Sequence, residues 1–173
     1  MSEPELQRLS RVVETTAVHE DDVTEVVVEE WSVSGPPELR LTRRQSPDGP
    51  SRPPVLLVHG FAQNRFTWHT SRRSWATALA RAGHDVWNLE LRGHGRSRVD
   101  GQLGAEAFAD YVEDVARVAR ALPDRAFMVG HSLGGAAIYG AATQLHGGPH
   151  APRGVVGIGA VYSFGRGNPV LKA

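Results

Sequence analysis

The chain has 173 residues, a length that one domain normally accounts for. Its hydrophobic fraction of 40% and charged fraction of 22% are typical of a globular protein, and its 19 basic and 19 acidic residues cancel, which argues against binding to nucleic acid. The sequence has no cysteine, which excludes disulfides and thiolate chemistry. Residues 1–25 do not resemble a signal peptide, and no apolar run approaches a membrane span of about 20 residues, so we predict a cytoplasmic protein without a membrane span.

The first part of the chain predicts an antiparallel β-hairpin. Residues 1–22 contain few apolar residues and no clear period, so we expect a flexible N-terminal segment, with the folded domain spanning 23–173. Residues 23–33 are rich in β-branched side chains, and residues 38–43 alternate between apolar and polar side chains. Together they predict two strands joined by a turn.

From Val55 onward, predicted strands and helices alternate. Strands are predicted at 55–58, 85–91, 126–129 and 154–164, and helices at 72–82, 106–122 and 133–145. In the helix over 106–122 an apolar stripe faces the core, and we expect Glu113 and Asp114 to lie on the opposite, solvated face. This alternation predicts an α/β protein with a mostly parallel sheet flanked by helices.

Three of these strands end in loops that contain glycine. The loops are His59-Gly60-Phe61, Arg92-Gly93-His94-Gly95 and Gly130-His131-Ser132-Leu133-Gly134. Ligands of a parallel sheet bind beyond the carboxyl ends of its strands. We therefore expect the three loops to meet at one edge of the sheet and to form a site there.

The third loop fits the pattern G-x-S-x-G between a strand and a helix, which is the context of a nucleophile elbow. A serine in so sharp a turn has a strained backbone, and a Cβ at Gly130 or Gly134 would collide with the strand or the helix. The turn also places the N–H of Leu133 at a helix N-terminus, where it can meet an oxyanion. By itself the pattern also fits a glycine-rich turn with an incidental serine.

In their order and spacing, the three loops resemble the α/β-hydrolase superfamily, and the resemblance covers about residues 23–164. It implies an α/β-hydrolase fold in which Ser132 is the nucleophile and the N–H groups of Phe61 and Leu133 form the oxyanion hole. The implied reaction is hydrolysis of a small carboxylic ester or related acyl substrate through an acyl-enzyme, without a metal or organic cofactor. Serine at position 132 disfavours the relatives that use an aspartate nucleophile, namely dehalogenases and epoxide hydrolases. An acyltransferase on the same scaffold remains open.

The resemblance also gives the three loop histidines structural roles. It implies that His59, next to Gly60, shapes the oxyanion loop and that His94, next to Gly93, anchors the second loop. His131 is expected to pack or to hydrogen-bond locally beside the nucleophile. Three tryptophans are expected in the core or in the wall of an acyl pocket: Trp68, Trp75 and Trp87.

The catalytic acid and histidine of this superfamily are missing from their expected places. The resemblance puts the acid after a later strand and the histidine after the last one, but no acidic residue follows Asp124. Only His146 and His150 follow Ser132. At 1.5 Å per residue, His146 lies about 20 Å along the predicted helix, beyond hydrogen-bonding reach of the nucleophile.

Several interpretations of this gap stay open. A rearranged dyad could use His59, His94 or Asp100, although we favour it least. We expect instead an N-terminal part of a longer hydrolase that lacks the C-terminal strands and is weakly active or inactive as given. Its predicted strand at 154–164 would be an apolar edge through which copies could self-associate. A non-catalytic hydrolase-fold remnant that binds a partner is the alternative from a different class.

Overall fold

The computed structural model describes residues 3–100 and 104–160, which form one mixed sheet with helices on both faces. The strands within these ranges are β1 (Leu6–His19), β2 (Asp22–Val33), β3 (Leu39–Gln45), β4 (Arg52–Val58), β5 (His84–Glu90), β6 (Phe127–His131) and β7 (Gly154–Ile158). The α-helices are α1 (Trp75–Arg81), α2 (Phe108–Ala121) and α3 (Leu133–Leu145). The structure therefore confirms the predicted α/β class.

The strand order in the sheet is β1-β2-β3-β5-β4-β6-β7. Strands β1, β2, β3 and β5 pair antiparallel, whereas β5, β4, β6 and β7 pair parallel. Strand β4 lies between two parallel neighbours, and its residues 55–58 are all buried, as expected of a strand covered on both faces. The carboxyl ends of β4, β5 and β6 consequently open on the same edge of the sheet.

The core has two parts, one on each face of the sheet. Because successive side chains of a strand alternate between faces, Leu56 packs in the cluster that contains α2 and α3, and Leu57 packs in the cluster that contains α1. Helices α2 and α3 also pack against each other, where the side chain of Val112 lies against Gly140. The site at the strand ends thus rests on a scaffold that is buried on both sides.

The structure contradicts the predicted flexible segment over residues 1–22. Residues Leu6–His19 form β1, which pairs with β2 from the Leu6–Val33 pair to the His19–Asp22 pair. Strand β1 is the outer strand of the described sheet, and most of its side chains are exposed on both faces. An edge strand whose side chains are exposed on both faces does not alternate between apolar and polar residues, so the sequence pattern did not predict this strand.

Four further predictions need correction or restriction. Helix α1 begins at Trp75, because Ser74 caps it by accepting a hydrogen bond from the N–H of Thr77, and Trp75 is 58% exposed rather than in the core. Trp68 and Trp87 are buried, as predicted. Asp114 is fully buried, not solvated.

The remaining restriction concerns the last predicted strand. Strand β7 ends at Ile158, and residues 161–164 of the strand predicted over 154–164 lie outside the described residues.

None of the helices in the described ranges has both the length and the apolar character needed to cross a bilayer.

Candidate active site

Ser132 occupies a strained turn between β6 and α3. Its backbone has φ +49° and ψ −117°, a left-handed conformation that residues with a side chain rarely adopt. The Ser132 N–H donates to the carbonyl oxygen of Ile158 at 3.0 Å, and the Ser132 carbonyl accepts from the N–H of Ala136 at 3.2 Å. The neighbouring strand β7 and the first turn of α3 therefore hold the strained backbone in place.

The two glycines of the elbow are required by close packing, which confirms the expected collisions. A Cβ on Gly130 would lie 2.6 Å from the backbone of Gly134, and a Cβ on Gly134 would lie 2.6 Å from the carbonyl oxygen of Val58. A Cβ on Gly134 would also overlap the carbonyl oxygen of His59. The start of α3 thus presses against the end of β4, and this contact brings the first and third loops together.

Gly60 marks the point where the first loop passes beside Ser132. A Cβ on Gly60 would lie 3.2 Å from the Cβ of Ser132 and 3.0 Å from Nδ1 of His131. The second loop joins through His94, whose Nε2 accepts a hydrogen bond from the N–H of Ala62 at 3.2 Å. The three predicted loops do converge at one edge of the sheet.

Two backbone N–H groups near Ser132 donate to no acceptor within residues 3–100 and 104–160. Leu133 is the first residue of α3, so its N–H has no acceptor four residues back within the helix. The N–H of Phe61 donates to no other residue in the described ranges, and the Phe61 ring is 68% exposed. Leu133 directly follows Ser132 in the chain, and Phe61 directly follows Gly60, which packs beside Ser132. The assignment of these two N–H groups to an oxyanion hole stays a prediction.

His59 is a buried structural residue. Its Nε2 accepts from the N–H of Leu91 at 3.1 Å, so the ring proton resides on Nδ1 and is donated to the carbonyl oxygen of Gly60 at 2.7 Å. Burial lowers the pKa of His59 to about 4, which keeps the ring neutral. A neutral ring with both nitrogens engaged cannot accept the proton of Ser132.

Both ring nitrogens of His94 also form hydrogen bonds. Its Nδ1 lies 2.8 Å from the carbonyl oxygen of Arg92, to which it donates because Nε2 is the acceptor for Ala62. The ring also packs against those of His59, Phe61 and Tyr111. His94 therefore anchors the second loop to the first, and the rearranged dyad is left without an available histidine at His59 or His94.

Gln63 is a central residue of the site that the sequence analysis missed. Its side-chain oxygen accepts from the N–H of Gly60 at 2.9 Å and from the hydroxyl of Thr67 at 3.2 Å, and it lies 3.0 Å from Nδ1 of His131. Since the Gln63 oxygen can only accept, the proton of His131 resides on Nδ1. A single amide in a loop has no repeating pattern, so only the contacts reveal it.

An ion pair with helix α2 fixes the second loop. Arg92 donates Nε and Nη2 to the two oxygens of the Asp114 carboxylate at 2.9 and 2.6 Å, and its backbone N–H donates to the same group. This contact explains why Asp114 is buried on α2 although its place in the helix pattern indicated solvent. The ion pair ties the loop that carries Gly93 and His94 to the scaffold.

Buried Glu90 lies under the same loop. Burial raises the pKa of its carboxyl group, but the hydrogen bond from Arg96 and the charges of Arg96 and Arg65 outweigh this, so the pKa is lowered overall. The carboxylate therefore stays ionised. It forms ion pairs with Arg65, which follows the first loop, and with Arg96, which follows the second loop.

The histidine that follows the elbow is distant, as the sequence indicated. His146 caps the C-terminus of α3, so the 13 residues of that helix separate it from Ser132 by about 20 Å. Within residues 3–100 and 104–160, the structure has no cluster of three His, Asp or Glu side chains that could hold a metal ion.

Comparisons with known proteins agree with the α/β architecture of the chain. A family model described as alpha/beta hydrolase fold matches residues 53–171. Epoxide hydrolase B of Mycobacterium tuberculosis is 36% identical over 123 residues, which cover 70% of this chain and 32% of the relative. Protein phosphatase methylesterase 1 of Mus musculus is 34% identical over 111 residues, which cover 60% of this chain and 27% of the relative.

Solved structures show the same architecture. The thioesterase domain from the curacin biosynthetic pathway superposes with a TM-score of 0.63 at 26% identity, covering 77% of this chain and 46% of that structure. The chain spans about a third of the length of the curated relatives that it matches. With a family match over most of its residues and the elbow in place between β6 and α3, the chain belongs to the alpha/beta hydrolase fold family.

Proposed function

We propose that this chain carries the nucleophile and the oxyanion hole of a serine hydrolase that acts on a carboxylic ester or related acyl substrate. The observation that carries the proposal is the strained elbow: Ser132 has φ +49° at the start of α3, and Gly60 of the oxyanion loop packs beside its Cβ. Family membership supports hydrolysis in general. Serine at position 132 favours a reaction in which a hydroxyl oxygen is acylated over one in which an aspartate carboxylate is the nucleophile.

In the proposed reaction, Oγ of Ser132 attacks the carbonyl carbon of the ester while a general base removes the hydroxyl proton. The carbonyl oxygen becomes an oxyanion that accepts hydrogen bonds from the N–H groups of Leu133 and Phe61. Collapse of this intermediate breaks the bond to the leaving alcohol, which takes the proton from the base. Water then attacks the acyl-enzyme by the same steps and releases the acid and Ser132.

The general base and its acid are not among the residues described at the site. The ring nitrogens of His59 and His94 are engaged, and no acidic residue follows Asp124 in the sequence. We expect the 173-residue chain to be weakly active by itself, since a serine without its base keeps only about 10³–10⁴-fold of the acceleration over water. A segment or chain that supplies both groups would complete the site. A cytoplasmic location stays a prediction from composition.

The test is acylation of the purified chain by p-nitrophenyl butyrate, followed by intact-mass spectrometry. Removal of the acyl group needs the missing base as well, so one butyryl group should accumulate on wild-type protein and map to Ser132. The Ser132→Ala variant should remain unmodified over the same period. Equal labelling of both proteins, or no labelling of either, would overturn the proposal.

The same assay separates the two alternative functions. With a nucleophilic alcohol added, an acyltransferase would pass the butyryl group from Ser132 to that alcohol faster than to water. A non-catalytic remnant would bind its partner equally well with Ser132→Ala. The comparisons support neither alternative over hydrolysis.

Self-association through the exposed edge also remains a proposal. Strand β7 is an outer strand of the described sheet, and Val156 on it is 51% exposed. If the β7 edge pairs between copies, Val156→Lys should shift the protein towards monomer in sedimentation velocity, whereas Val13→Lys on the opposite edge strand β1 should not.

A further inference from the structure

A cavity of about 630 Å³ opens beside the oxyanion loop, between that loop, the second loop and α2. This volume falls in the range of small-molecule sites. Its lining includes Phe61 and Gln63 of the first loop region, and also Arg98, Ala105 and Tyr111. Phe61 belongs to both the cavity and the proposed oxyanion hole, so the cavity adjoins that hole, although Ser132 itself is not among the described residues that line it.

The charge of the cavity comes from one residue. Among the described residues that line the cavity, Arg98 is the only charged one, and none is acidic. Within the described ranges Arg98 forms no ion pair or hydrogen bond. The two preceding arginines each have an acidic partner: Arg92 pairs with Asp114, and Arg96 pairs with Glu90. The loop thus leaves one guanidinium available, at the cavity.

Tyr111 supplies a second hydrogen-bond donor. Only 9% of the residue is exposed, it lines the cavity, and its hydroxyl has no partner among the residues that the structure describes. Burial and the nearby Asp114 carboxylate raise the pKa of Tyr111, so the hydroxyl keeps its proton at neutral pH. His94, with both nitrogens engaged, contributes a wall rather than a ligand.

The loop glycines give the cavity its shape. Gly93 has φ +71°, and a Cβ there would overlap the backbone of Gly104. The chain at Gly104 and Ala105 can therefore close against the second loop and form the far wall of the cavity.

A guanidinium and a hydroxyl donor, without an acidic neighbour in the lining, are suited to a carboxylate or a phosphate. We infer that the acyl substrate of this site carries an anionic group, which Arg98 and Tyr111 bind in the cavity beside Phe61. The inference rests on the proposed function, because it identifies the substrate class of the same site. It adds no step to the reaction and acts through binding.

The first experiment measures binding without catalysis, using the Ser132→Ala chain. Glutarate or inorganic phosphate should raise the thermal midpoint in a concentration-dependent way, and whichever of the two acts at lower concentration identifies the anion as carboxylate or phosphate. Arg98→Gln should lose at least about tenfold in affinity for that anion, and Tyr111→Phe should weaken it to a smaller extent. Arg72→Gln, which removes one exposed charge on the loop before α1, is the matched control and should retain the shift.

The second experiment compares the acylation of Ser132 by p-nitrophenyl hydrogen glutarate and by neutral p-nitrophenyl pentanoate, after subtraction of the rates of Ser132→Ala. The anionic ester should react about tenfold faster, and added salt should reduce this ratio because an accessible guanidinium is screened. Arg98→Gln should bring the ratio close to one, Arg98→Lys should keep part of it, and Arg72→Gln should keep all of it.

The two experiments separate failure of the inference from failure of the proposed function. Acylation of Ser132 by both esters at equal rates, or a ratio that survives Arg98→Gln, would overturn the anionic subsite and leave the hydrolase proposal standing. Specific stabilisation by an anion without acylation by either ester would support the subsite and overturn the proposed function. No stabilisation by either anion would overturn the inference directly.

Discussion

The side-chain oxygen of Gln63 lies 3.0 Å from Nδ1 of His131, and this contact joins the chain after the first loop to the residue that precedes Ser132. The same oxygen accepts from the N–H of Gly60, next to Phe61. Gln63 therefore sets the position of the first loop relative to the elbow. A donor that must meet the oxyanion within a few tenths of an ångström depends on such a support.

Replacing Gln63 by leucine should slow acylation of Ser132 about tenfold, since Gly60 and His131 lose their common acceptor and the loop shifts. Unfolding free energy should fall by about 1–2 kcal/mol. Thr67→Val is the matched control, because it removes only the third hydrogen bond to Gln63 and should leave acylation within about twofold. Intact-mass kinetics with p-nitrophenyl butyrate measure both variants, and equal effects would show that Gln63 does not position the loop.

The strain at Ser132 predicts that the elbow serine costs stability. Glycine adopts φ +49° without steric penalty, so Ser132→Gly should be more stable than Ser132→Ala by about 1 kcal/mol. Both variants lack the Ser132 hydroxyl. They differ in backbone strain and in the greater conformational entropy that glycine gives the unfolded chain, which offsets part of the stabilisation. Urea denaturation of the two proteins measures the difference, and an alanine variant as stable as the glycine variant would contradict it.

Breaking the Arg92–Asp114 pair should be costly. Asp114→Asn leaves the Arg92 guanidinium without its buried carboxylate, and we expect a loss of about 3 kcal/mol in unfolding free energy. Glu113→Gln, one residue earlier on α2, removes the exposed pair with Arg120 and should cost less than about 0.5 kcal/mol. Chemical denaturation of both variants provides the comparison, and similar losses would rule out a special contribution from the buried pair.

Stability should fall as the pH decreases from the ordinary histidine pKa towards 4. Burial lowers the pKa of His59 to about 4, and burial together with the charges of Arg44 and Arg65 lowers that of His69 to about 4. Between about pH 6.5 and these values the unfolded chain binds protons that the folded protein does not, so the folded state loses stability as pH falls. For His59 the loss amounts to at most about 3 kcal/mol.

Denaturation of wild type and His59→Gln at about pH 7 and about pH 5 tests this dependence. Glutamine cannot titrate, so the variant should be destabilised at both values but should lose less stability between them than wild type. Parallel pH profiles for the two proteins would contradict the assignment of the effect to His59.

Local pattern was enough to predict most of the parallel part of the fold. The apolar run before His59 is the central strand β4, and the strand–turn–helix around Ser132 has the crowded glycines that the motif indicated. The sequence pattern gave wrong predictions where the burial of side chains does not follow the periodicity of a strand or helix. Strand β1 is exposed on both faces, and Trp75 lies at the exposed start of a helix that the capping residue Ser74 shortens.

By itself, the sequence determined that a serine occupies the centre of the G-x-S-x-G pattern at position 132 and that no acidic residue follows Asp124, because both are properties of residue types at given positions. Only the tertiary structure decided which polar groups are engaged. Asp114 is buried because Arg92 reaches it from another element, and His59 is neutral because Leu91 and Gly60 bind its two nitrogens. Protonation and pairing depend on atoms that lie far apart in the chain, so no local pattern contains them.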